Sequence, residues 1–111
     1  MQESKVILTW EAIYDITDIA DYIETEFGLK RANQFQNDVQ KQLNDLKILA
    51  NAFSRTHINY RNYHIFKKPF PPPIIFYIIK QPEKEIHILR ILREECNWEK
   101  ILTEQQKYTY P

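Results

Sequence analysis

The sequence predicts an α+β domain of order β-α-α-β-β-β, with a helical hairpin packed on one face of a mostly antiparallel sheet and a short C-terminal helix. Three observations carry this expectation. Apolar residues recur at three- and four-residue spacing between positions 12 and 50, the pattern turns strand-like after Asn51, and a short β-rich run precedes the helices. A chain of 111 residues has room for one domain with one core, here about residues 4–102, followed by a polar tail at 103–111.

Lys5-Val6-Ile7-Leu8-Thr9 reads as the first strand. Thr9 is placed to cap the helix that follows, and Glu11 complements its dipole. Ala12, Ile13, Ile16, Ile19, Ala20, Ile23 and Phe27 form the apolar stripe of that helix, with Glu11, Asp15, Asp18 and Asp21 expected mostly on the solvated side. Gly28, the single glycine, stands where a helix needs its left-handed stop. Ala32, Phe35, Val39, Leu43, Leu46 and Leu49 or Ala50 continue the spacing in a second helix, and so short a connection makes the two antiparallel.

Tyr60 to Lys68, Ile74 to Lys80 and Glu85 to Arg93 then read as three strands of a meander. Pro69-Phe70-Pro71-Pro72-Pro73 and Gln81-Pro82-Glu83-Lys84 are the turns between them. Ile74–Ile79 is apolar throughout, which suits a central strand covered on both faces. Asn97 caps a last helix beginning at Trp98, and residues 103–111 are expected to fray. One sheet face takes the helical hairpin, and the other is expected to stay open as a concave working surface.

The composition is globular, 43% hydrophobic and 27% charged, and too apolar for a disordered chain. Cys96 is alone, so there is no internal disulfide framework, and it is expected as a buried or half-buried thiol. No apolar run approaches the roughly 18–20 residues of a membrane span, and no leader-like segment opens the sequence. A cytoplasmic location without membrane contact is the expectation. Three scattered histidines and one cysteine lack metal-ligand spacing, and one glycine cannot build a phosphate loop, so no cofactor is expected.

A net charge of zero hides a partition. Residues 1–50 carry nine acids and five bases, whereas residues 51–82 carry Arg55, Arg61, Lys67, Lys68 and Lys80 with no acid. Tyr60, Tyr63, His57 and His64 are interleaved with these cations. Cations that neutralise phosphates beside rings that stack on bases point to a nucleic acid or another acidic partner. The plainer alternative is a solvated strand whose long side chains cover apolar edges. In Ile86-His87-Ile88-Leu89-Arg90-Ile91-Leu92-Arg93, strict alternation sends Ile86, Ile88, Arg90 and Leu92 to one face and His87, Leu89, Ile91 and Arg93 to the other. His87 is a candidate acid, or a structural histidine.

The strand order, Asp15…Ile19-Ala20…Tyr22-Ile23 with the Gly28 stop, and Ala32…Phe35 resemble the RelE/ParE toxin superfamily. Ile75-Phe76-Tyr77-Ile78 and Ile88-Leu89-Arg90-Ile91-Leu92-Arg93…Asn97-Trp98 extend the resemblance over nearly the whole chain. It implies the toxin of a type II toxin–antitoxin pair, of plasmid-stabilisation type, whose cognate antitoxin wraps it. An acidic antitoxin tail would cover the basic sheet face. RelE-like members cut mRNA on the ribosome with sheet Arg and Lys and a Tyr or His near the carboxyl end; ParE-like members poison DNA gyrase.

Ribosome-dependent mRNA cleavage is the first expectation, with gyrase poisoning or a non-toxic antitoxin-binding member as alternatives. If the chain is an enzyme, Arg61, Arg90, Arg93 and His87 are the expected catalytic group. Lys67, Lys68, Arg55, Tyr63 and Tyr77 are then the nucleic-acid contacts. The sequence departs from the nuclease pattern at Ile74, where an Arg often precedes the Tyr, and at Arg93, where a His is common.

Overall fold

A computed structural model describes residues 3–111. β1 (Lys5–Leu8) leads into α1 (Trp10–Phe27) and α2 (Leu29–Leu49), and one turn of 3-10 helix (Ala50–Ala52) follows. Four strands come next, β2 (Ser54–Tyr60), β3 (Tyr63–Pro69), β4 (Pro73–Lys80) and β5 (Glu85–Arg93), and then α3 (Trp98–Glu104). The five strands form one sheet in the order β1-β5-β4-β3-β2, with β1 parallel to β5 and the other pairs antiparallel. No helix among the described residues is long and apolar enough to cross a membrane.

The helical hairpin starts as the residues dictate. Thr9 is fully buried, its hydroxyl accepting the Ala12 N–H at 2.9 Å and donating to the Leu89 carbonyl at 2.8 Å. It therefore caps α1 and ties that end to β5 at once. Gly28 closes α1 and opens α2 at φ 96, ψ 168, a region only glycine occupies easily. A Cβ there would touch nothing within 4 Å, so the demand is purely on the backbone. Gly28→Ala is accordingly expected to cost about 1–3 kcal/mol in urea unfolding; a loss of under a few tenths would mean the turn relaxes.

Two apolar layers flank the sheet. Ala12, Ile19, Ile23, Phe35, Val39, Leu43 and Leu46 of the hairpin pack on Ile75, Tyr77, Ile86, Ile88 and Ile91. On the opposite face Ile58, Tyr60, Ile65, Phe76, Ile78, Leu89 and Leu92 pack with Leu102 of α3 and with Tyr108. The face expected to be open is thus largely covered. The tail does not fray either. The Trp10 N–H donates to the Thr109 carbonyl at 2.8 Å, and the Thr109 amide and hydroxyl donate to the Glu11 carboxylate at 3.0 and 2.9 Å. Tyr108 packs edge-on against Tyr60, with ring centroids 4.9 Å apart. An apolar sheet face beside α3 is what holds this polar segment down.

Three other expectations change. The strand foreseen at Tyr60–Lys68 is the end of β2, a two-residue turn, and β3, with Tyr60 paired to Tyr63 and Arg61 at φ 57. β2 itself was not foreseen. It buries Thr56, Ile58 and Tyr60 and exposes Ser54, Arg55, His57 and Asn59. In β5 the register with β4 shifts, Phe76 facing Arg90 and Tyr77 facing Ile88. This bulge flips the alternation, so Ile88 and Ile91 share the helix face while Leu89 and Leu92 share the other.

Candidate functional site

The acid-free stretch lies on β2, β3 and β4, the far side of the sheet from β1. It does not form one wall. Phe66, Tyr77 and Ile75 mark the helix-hairpin face, and their register partners Arg55 and Lys68 lie with them. Lys67 sits opposite Phe76 on the other face, its ammonium 5.4 Å from the centre of the Trp98 ring. Arg61, Tyr63 and Lys80 gather at the hairpin tip on that same side.

Several of the expected site residues are committed to holding the fold. Lys68 is only 5% exposed; its ammonium donates to the Gln42 carbonyl at 3.1 Å, lies 3.6 Å from Asp45 and covers the Phe53 ring. Burial pushes its pKa down, against the pull of Asp45. Tyr77 is fully buried, stacked on Phe66 and donating its hydroxyl to the Ala50 carbonyl at 2.6 Å. Burial drives that hydroxyl's pKa well up, so it stays neutral. Neither residue lies on a surface a nucleic acid could reach.

Arg90 is bound just as firmly. Its guanidinium donates to both oxygens of Asp15, at 2.7 and 2.9 Å, and to Gln105 at 2.8 Å. Asp15 also accepts the Ile91 N–H at 2.9 Å. β1 stops pairing at Leu8–Ile88, so Asp15 serves the strand edge that β1 leaves bare. Asp15, expected on the solvated side of α1, is 8% exposed. Burial raises its carboxyl above the ordinary value even against the Arg90 bond, while the Asp15 contact raises the Arg90 guanidinium.

Arg93 lies with its guanidinium 4.2 Å from the centre of the Tyr22 ring and pairs with Glu95. His87 is buried between Tyr110, whose hydroxyl is 2.6 Å from Nδ1, and Glu85, whose carboxylate is 2.9 Å from Nε2. The His87 contact holds the Glu85 carboxyl below its ordinary value. Cys96 is exposed, contrary to expectation. Among the described residues no group of three or more His, Cys, Asp or Glu side chains could hold a metal ion.

Two clefts flank the hairpin. One, of about 220 Å³, is lined by Tyr60, Arg61, Tyr63, Lys80, Tyr108 and Tyr110, together with Ile78. The other, of about 250 Å³, is lined by Arg55, Asn62, His64 and Gln81 among others, with Tyr63 shared. Tyr108 and Tyr110 were not foreseen as site residues. Their one signal is the alternating Tyr108-Thr109-Tyr110 after α3, the pattern of an extended segment with one face packed.

The strap that carries them is sensitive to acid. Burial opposes charge on Glu11, but the Thr109 amide and hydroxyl together hold its carboxyl below the ordinary 4.5. A depressed carboxyl contributes stability above the unfolded value and loses it as pH falls through the folded one. Protection of the Thr109 amide from hydrogen exchange is therefore expected to persist at neutral pH and to weaken below about pH 4.5. Glu11→Gln should flatten that dependence.

A family model described as the ParE toxin of type II toxin–antitoxin system, parDE, matches residues 6–98. The fold is similar to that of a chain in a solved structure described as the chromosomal ParDE TA system from P. aeruginosa. The TM-score is 0.70 at 24% identity, over 84% of this chain and 98% of that one. No curated protein matches the sequence. The segment bearing Tyr108 and Tyr110 lies beyond the residues the family model matches.

Proposed function

Because the chain belongs to the ParE toxin family of type II toxin–antitoxin systems, we propose that it arrests growth by poisoning DNA gyrase and is held in check by a cognate antitoxin. The family match carries this reading, and side-chain usage supports it over mRNA cleavage. A nuclease needs cations and an acid or base free to meet the scissile phosphate. Here Arg90 is spent on Asp15, Lys68 on Gln42 and Asp45, and His87 on Tyr110 and Glu85. Arg61, Lys67 and Lys80 have no carboxylate partner among the described residues, and an acidic antitoxin segment would find them available.

The decisive measurement is expression without antitoxin, with gyrase supercoiling, DNA breakage and mRNA integrity followed in parallel. The expected result is blocked supercoiling and accumulating DNA breaks while mRNA stays whole. Cut mRNA with normal supercoiling would transfer the chain to the ribosome-dependent nucleases. Undisturbed growth would make it an antitoxin-binding member without toxicity.

A further inference from the structure

We propose that the cleft at the tip of the β2–β3 hairpin binds one unpaired nucleotide of a single-stranded nucleic acid, its base against tyrosine rings and its phosphates on Arg61 and Lys80. The lining has the two ingredients such a ligand needs and lacks the one that would repel it. Half-buried Tyr63 and exposed Tyr110 supply accessible ring surface, with Tyr60 and Tyr108 buried behind them; Arg61 and Lys80 supply positive charge, and no carboxylate lines the cleft. Glu85, on the adjoining strand opposite Lys80 and within reach of its field, is hydrogen-bonded to His87 and does not line the cleft.

Both cations are already in position. The Arg61 guanidinium lies 5.2 Å from the centre of the Tyr60 ring, and the Lys80 ammonium 5.7 Å from that of Tyr63. Neither forms an ion pair with a carboxylate among the described residues. Arg61 holds φ 57, as the first position of a two-residue hairpin turn requires, and this places its charge at the apex of the turn.

The size of the cleft suits one unit of a longer ligand. Pockets that enclose a small molecule run to about 300–1,000 Å³. At about 220 Å³ this cleft grips one unit and leaves the rest of its ligand outside, which suits a polymer. A duplex cannot offer a base face without unpairing, so the site discriminates against it. Two of the four tyrosines belong to the strap, so the cleft is complete only when residues 108–110 are docked. Tyr110 is fixed there by His87. The inference is independent of the toxin's target.

The test is fluorescence anisotropy of a labelled oligothymidylate titrated with the full chain over a series of salt concentrations. Single strand is expected to bind at least about tenfold tighter than duplex of equal length, because stacking is available only to unpaired bases. R61A/K80A should weaken binding and reduce the slope of log affinity against log salt by about 1.4, the loss of two phosphate contacts. Tyr110→Ala should weaken binding without changing that slope, and Lys41→Ala, remote from the cleft, should bind as the unaltered chain does. Circular dichroism of each variant separates loss of binding from loss of fold. Equal affinity for duplex and strand, tight binding of free thymidine monophosphate, or an R61A/K80A protein that binds unchanged each overturns the proposal. None of these outcomes bears on supercoiling inhibition, which is read separately.

Discussion

Asp15→Ala is expected to destabilise the domain by about 3–5 kcal/mol, the usual consequence of stripping one partner from a buried ion pair. The variant leaves the Arg90 guanidinium without its carboxylate and the Ile91 N–H without an acceptor. Side-chain exposure of 20% for Arg90 and 10% for Asp15 leaves little water to take over. Against a total stability of about 5–15 kcal/mol, the loss is enough to bring a small domain near unfolding at growth temperature.

The charged pair is not in itself a large source of stability, since burial raises the Asp15 carboxyl. Asp15→Leu with Arg90→Met is therefore expected to recover part of the loss, the Ile91 N–H still lacking its acceptor. Urea unfolding of the two singles and the double decides the matter. Singles within about 1 kcal/mol of the unaltered chain would show that the pair does not organise the β5 edge. The result also disciplines toxicity measurements. Arg90→Ala leaves the buried Asp15 carboxylate without its guanidinium, so an effect of this variant in any functional assay has to be separated from loss of fold.

Tyr108 carries the second large effect. Tyr108→Ala removes a buried ring that packs on Tyr60 and the α3-side core, and the expected cost is about 3 kcal/mol. This is the low end for an aromatic truncation, because the strap can detach before the sheet unfolds. Tyr108→Phe should be neutral or slightly stabilising, since the hydroxyl it deletes is buried without a partner. Denaturant unfolding with tryptophan emission as the probe reads both, Trp98 lying against Phe76 in the same layer. A phenylalanine variant as damaged as the alanine one would mean that the hydroxyl, and not the ring, anchors the strap.

Periodicity located the helices well because each has a single buried stripe. The boundaries around Gly28 and the capping role of Thr9 appear in the structure as the residues imply. The strands were harder to resolve. β2 has one aliphatic residue, Ile58, and joins β3 through Arg61-Asn62, without the glycine or proline that usually punctuates a hairpin. The bulge in β5 was invisible because Ile86, Ile88, Leu89, Ile91 and Leu92 suit either face of a sheet covered on both sides.

The candidate site was legible only as charge. Arg61 and Lys80 belong to the acid-free stretch, but nothing in their neighbours says that Lys68 turns inward and Arg61 outward. Asp15 looks like the other helix acids on a wheel. Its burial depends on where β1 ends relative to β5, a contact 75 residues away in sequence.

That division holds for the acid-free stretch from residue 51 to 82. Residue order alone determined that its five cations would have no acid beside them along the chain, and that they would lie on strands next to tyrosines. Tertiary structure decided which of those charges are available. Side-chain direction in a sheet changes with every residue and with every bulge, and neutralisation depends on partners brought from distant segments. Lys68 found Asp45 and Arg90 of the last strand found Asp15, whereas Arg61 and Lys80 lie over the rings of Tyr60 and Tyr63 without an ion pair among the described residues.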